Sequence, residues 1–145
     1  MAEETYTRLA LAKSQLDTAA ELFLDQKNYA SAITLAGAAE EIFGRMLTIG
    51  GGKPALEDLY ESMTACHAML HGAGLNKKKY VVMENCARDA LKHLQHDKGP
   101  TITVDLEEAA CWMLVRAFEN GRKLSIEFER FPDFDNWFYE NIVGT

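Results

Sequence analysis

The chain has 145 residues, 48% of them hydrophobic, with a formal net charge of −7 and a slightly negative mean hydropathy of −0.20. Those values fit one globular domain spanning residues 1–145, and they exclude a disordered chain and a protein coating nucleic acid with a broad basic stripe. No stretch approaches the roughly 20 consecutive apolar residues of a membrane span, so no membrane partner is expected.

The N-terminus, MAEETYTRLALAK, leads with acids and lacks an apolar segment before a cleavage site, so it does not read as a secretory signal. Three widely spaced cysteines, Cys66, Cys86 and Cys111, each fall in a helical pattern and read as reduced, buried, small hydrophobes. A cytoplasmic location follows as the expectation.

Residues 5–26 are the first predicted helix: Leu9, Leu16 and Phe23 recur at heptad spacing with Ala12 and Ala19 beside them. Asn28 reads as the N-cap of a second helix over 29–47. That helix is rich in Ala and Gly, which let a neighbour approach closely, while Ile33, Ile42, Phe43 and Met46 supply core side chains. Gly50, Gly51, Gly52, Lys53 and Pro54 break it. They lack the preceding strand and the Gly-Lys-Ser/Thr ending of a phosphate loop. A third helix over 55–70 aligns Leu56, Leu59, Tyr60, Met63, His67 and Leu70 on one face.

A fourth helix is predicted over 77–96, using Tyr80, Met83, Ala87, Leu91 and Leu94, with Gly99-Pro100 beyond it. Thr101 to Val104 alternates like a strand but has no partner strand, so it reads as an extended linker. Asp105 with Glu108 three residues on starts a fifth helix over 106–123. An aromatic arm, 126–145, carries Phe128, Phe131, Phe134, Trp137, Phe138 and Tyr139. The chain is therefore expected to be all-α, an antiparallel up-down bundle of four to five helices.

Charge is uneven. Residues 76–98 hold six bases against three acids, a segment of +3, which leaves −10 on the remainder. Metal chemistry is not expected. His67 and His71 are spaced i, i+4, but no Cys-x-x-Cys, His-Glu-x-x-His or Glu-x-x-His accompanies them, so they read as an interior and a loop histidine. No cofactor is implied.

Glu40 and Glu41 sit within the small-residue helix, and one of the two must lie near its apolar stripe. A carboxylate there needs a cation. An ion pair at the bundle edge is the plain solution, and Arg88 or Lys92 is the candidate with functional interest.

The sharpest feature is Arg88-Asp89-Ala90-Leu91-Lys92-His93. Cleaving RNA without a metal requires a group of near-neutral pKa to move a proton, which suits histidine. It also requires a fixed cation to stabilise charge on phosphate, which suits a guanidinium. Arg88 and His93 lie five positions apart, about 140° around a straight helix. Convergence is therefore expected across a two-fold axis between two copies of the fourth helix.

These residues resemble the HEPN domain family: an Arg, a polar residue, a short spacer and a His late in a helix of an all-α chain. The segments ENCARDALKHLQHD and LAGAAEEIFGRML carry the likeness, which extends over helices one to four. The resemblance implies a homodimer and a metal-independent endoribonuclease, often a toxin or defence effector. Arg88 would neutralise the scissile phosphate, His93 would act as general base or acid, and Asp89 would orient one of them. Lys92, His96 and Glu41 would assist in binding RNA or a nucleotide. A cognate antitoxin would be a further partner, one the sequence does not identify. The rival expectation is a non-catalytic interaction or nucleotide/RNA-binding module, as in many members of the family.

Overall fold

A computed structural model describes residues 1–94 and 98–144, and among them the chain is all-helical with no strand. Helices α1 (Arg8–Leu24), α2 (Tyr29–Ile49), α3 (Ala55–His71), α4 (Lys77–Glu84), α5 (Cys86–Lys92), α6 (Leu106–Lys123) and α7 (Phe131–Phe138) follow in order, and a single π-helical turn, Tyr139–Val143, closes the chain.

Local chemistry sets most of the helix starts. Thr7, Asn28, Asn76 and Asp105 each accept a backbone N–H of the first turn through the side-chain oxygen, at 3.0–3.2 Å. The caps expected at Asn28 and Asp105 are thus present. Gly72, with φ +77°, adopts the left-handed conformation that ends α3.

Helix α2 is central, packing against α1 on one side and α6 on the other. Ala12, Leu16, Ala19 and Phe23 from α1 meet Ile33, Ala36, Ala39 and Phe43 from α2, with Leu114, Ala117 and Phe118 from α6. The alanines of α2 leave the room that lets the two neighbours close in. The aromatic arm folds back onto this core. Phe23 meets Trp137 edge-on at 4.6 Å between ring centres, Phe118 meets Phe128 at 5.1 Å, and Phe134 is 2% exposed. Edge-to-face packing of this kind adds about 0.5–1.5 kcal/mol per pair beyond area burial. Arg130 fastens the arm by donating to both Asp25 oxygens, at 2.8 and 3.1 Å.

Three expectations need correction. First, the fourth helix is not continuous: it breaks at Asn85, and its second piece stops at Lys92. Asn85 is buried because its side-chain oxygen accepts from Arg116 at 2.9 Å, while Arg116 also takes the Glu84 carbonyl at 3.3 Å. A tertiary partner thus claims the carbonyl that the next helical turn would use.

Second, α3 buries no residue despite its apolar stripe. It packs mainly against α4 and α6, and Met63 and Leu70 remain exposed. Met46 and Met83, expected in the core, are exposed as well. Third, Cys66 and Cys86 are exposed and only Cys111 is buried, because α3 and α5 lie outside the α1–α2–α6 core. No helix among the described residues is long and apolar enough to cross a membrane.

Candidate functional site

The Arg88–His93 segment forms α5 and its C-terminal cap. Helix α5 lies against α2, with a close approach at Gly37. A Cβ there would stand 2.7 Å from Arg88 Cδ, so the glycine is what allows the arginine stem to cross α2.

The Arg88 side chain is only 15% exposed. Its Nε and one terminal nitrogen donate to Asp89 Oδ1, both at 3.0 Å. The other terminal nitrogen lies 3.9 Å from Glu40 Oε2. Of the two neighbouring glutamates, Glu40 is the buried one and it faces Arg88. Glu41 points to the edge, where Arg45 donates to it at 3.1 Å.

Glu40 has a second and closer cation. Arg116, 5% exposed, donates to Glu40 Oε1 at 2.8 Å. Two guanidiniums thus flank one buried carboxylate, and such a group tolerates burial because it is paired and hydrogen-bonded. Asn120, fully buried, completes the connection: it donates to the Glu40 carbonyl at 3.1 Å and accepts from the Ala55 backbone N–H at 2.7 Å. Sequence reasoning passed over Arg116, Asn85 and Asn120. The available signal was a polar residue recurring every fourth position, Arg116 and Asn120, on the buried face of an amphipathic helix.

His93 stands apart from this network. It caps α5 with extended backbone, φ −133° and ψ 119°, so the angular offset of a straight helix no longer applies to it. Its side chain is exposed, like that of Lys92. His93 lines a cavity of about 160 Å³ with Cys86, Asp89, Lys98 and Thr101. Arg88 lines a different one, of about 320 Å³, with Glu40, Glu41, Arg45, Tyr60 and Lys77. Asp89 belongs to both neighbourhoods, gripping Arg88 and bordering the His93 cavity. Among the described residues the arginine and the imidazole thus line different cavities. His96, the remaining candidate, lies outside the described residues.

His67 and His71 both lie on α3, His71 as its last residue, with ring centres 4.6 Å apart. No group of three or more histidine, cysteine or acidic side chains suited to a metal ion occurs among the described residues. The chain shows no significant match to a known family, a curated protein or a solved structure.

Proposed function

We propose that the chain is a HEPN-like homodimer that cleaves RNA without a metal, through a composite site built on Arg88, Asp89 and His93. In that fold assignment, α4 and α5 count as one bent element of an antiparallel up-down bundle of four to five helices. The observation that carries the proposal is the position of Asp89, which holds the Arg88 guanidinium and borders the cavity lined by His93. The separation of the two cavities supports dimeric action, since a second copy is needed to bring an arginine and an imidazole to one phosphate.

In the reaction, the imidazole of His93 takes the proton of a 2′-hydroxyl, and that oxygen forms a bond to the adjacent phosphorus. The P–O5′ bond breaks, its oxygen takes a proton from water, the hydroxide so formed takes back the imidazolium proton, and a 2′,3′-cyclic phosphate remains. A guanidinium beside the phosphate stabilises the charge growing on the non-bridging oxygens. Lys92 and His96 would contribute to holding the backbone.

A non-catalytic interaction or nucleotide/RNA-binding module is the competing function, and one observation favours it: Arg88 is already engaged by Asp89 and Glu40, which leaves its charge largely neutralised. Incubating the purified protein with single-stranded RNA in EDTA separates the two. Cyclic-phosphate ends that disappear in a folded His93→Ala variant support the nuclease. Intact RNA, or cleavage unchanged by His93→Ala, overturns it.

A further inference from the structure

We infer that the outer face shared by α3, α4 and α6 binds a second copy of this chain, about a two-fold axis beside Met83, with Lys79 of each copy meeting carboxylates of the other. The inference deepens the homodimer reading above and rests on it, naming the surface that seats the second copy.

The face is apolar along its middle. Helix α3 buries no residue, and Met63, Leu70, Met83 and Trp112 stay exposed, Leu70 by 73% and Met83 by 59%. Apolar residues exposed singly are ordinary, but adjoining ones mark a surface made for a partner. Here they adjoin, because Met83 lines two cavities of about 430 Å³ each. The first runs between α3 and α4 and includes Met63, Leu70 and Tyr80. The second reaches α6 and includes Trp112 and Met113. An unbranched methionine at the junction adapts readily to an opposing surface.

Charge selects the occupant. Lys79 lines the first cavity, which holds no carboxylate. Glu84, Asp105 and Glu108 line the second, whose one guanidinium, Arg116, is buried and donates to Glu40 at 2.8 Å. Lys79, Asp105 and Glu108 form no ion pair among the described residues. Helix α4 repeats the pattern in miniature, with lysines at its start, Val82 and Met83 within it and Glu84 at its end. An acidic partner would gain at Lys79 and lose at the three carboxylates, and a basic partner the reverse. A second copy satisfies both ends. An interface closed by a two-fold axis must be complementary to itself, and turning a copy about an axis beside Met83 lays each basic cavity on the other's acidic one. The second copy then also sits against Cys86 and Ala87, the residues that precede Arg88 on α5.

Sedimentation equilibrium of the full chain tests it. The wild type is expected to be a dimer that loosens as salt rises. Met83→Glu, Lys79→Glu and Glu108→Lys should each weaken that dimer about 10-fold or more, because like charges then face each other across the axis. Lys79→Glu combined with Glu108→Lys should regain most of the affinity, since each reversed charge again meets its opposite. All three positions are exposed, so helix content by circular dichroism should not change. A dimer unmoved by Met83→Glu, or a double reversal no tighter than the single ones, overturns this face and leaves dimerisation through another. A monomeric wild type overturns this face and the two-copy site together, whereas loss of RNA cleavage alone, with the dimer intact, counts only against the nuclease.

Discussion

Glu40 and Arg116, 76 positions apart in the chain, meet at 2.8 Å inside the protein, and this ion pair ties α2 to α6. The same Arg116 nitrogen donates to Asn85 Oδ1 at 2.9 Å, so the pair also fixes the break between α4 and α5. Removing Arg116 leaves the buried Glu40 with Arg88 alone, 3.9 Å away, so a cost at the lower end of the about 3–5 kcal/mol usual for breaking a buried pair is expected. Arg116→Met should therefore lower the unfolding free energy by that order in urea titration, and a loss below about 1 kcal/mol would show that the pair is not structurally important. Glu40→Met combined with Arg116→Met should recover part of the loss, since neither member of the pair then stays buried without its partner and Arg88 keeps Asp89.

Gly121 marks a close approach in the core. A Cβ at that position would stand 2.3 Å from Phe128 Cζ and 3.4 Å from Phe43 Cε2, and both rings are buried. A ring cannot yield as a flexible chain end does, and overpacking costs about 1–3 kcal/mol. Gly121→Ala should lower the denaturation midpoint accordingly, even though alanine is the better helix former. An unchanged or raised midpoint would refute this packing.

The three thiols should separate by reactivity. Cys111 is 1% exposed, and burial, helped by Glu107 and Glu108, pushes its thiol up to about 12. The thiolate is the reactive form. A chromogenic disulfide reagent should therefore modify two thiols per folded chain, Cys66 and Cys86, and the third only after addition of guanidinium. Three fast equivalents in the native protein would contradict the placement of α6.

Alkaline pH should destabilise the fold. Burial, followed by the nearby Glu84 charge, pushes Tyr80 from 10.0 up to about 12, and Cys111 rises from 9.0 to about the same value. Each folded pKa is raised, so each contribution is complete below the unfolded value and lost as pH climbs toward the folded one. Stability should fall between about pH 9 and 12, and Tyr80→Phe should flatten the upper part of that fall in urea midpoints measured against pH. A profile identical to that of the wild type would exclude Tyr80 as a contributor.

Much of this fold is written in short-range sequence patterns. The heptad recurrence of Leu9, Leu16 and Phe23, the apolar positions Ile33 and Phe43, and the caps at Asn28 and Asp105 depend only on neighbours within a turn or two. The expected 106–123 helix and the observed Leu106–Lys123 coincide, whereas the expected 5–26 helix exceeds the observed Arg8–Leu24, which begins after its Thr7 cap. An apolar stripe, however, says only that a helix has a face to bury, and α3 carries such a stripe without burying any residue. Which of Glu40 and Glu41 turns inward, and that Arg116 meets it, depends on how α2 and α6 are rotated against each other. That rotation is settled by the packing of alanines and rings across the whole core. The break at Asn85 has a tertiary origin: local propensity is worth a few tenths of a kcal/mol per residue, and the buried Arg116 guanidinium, which takes the Glu84 carbonyl and the Asn85 side chain as acceptors, outweighs it.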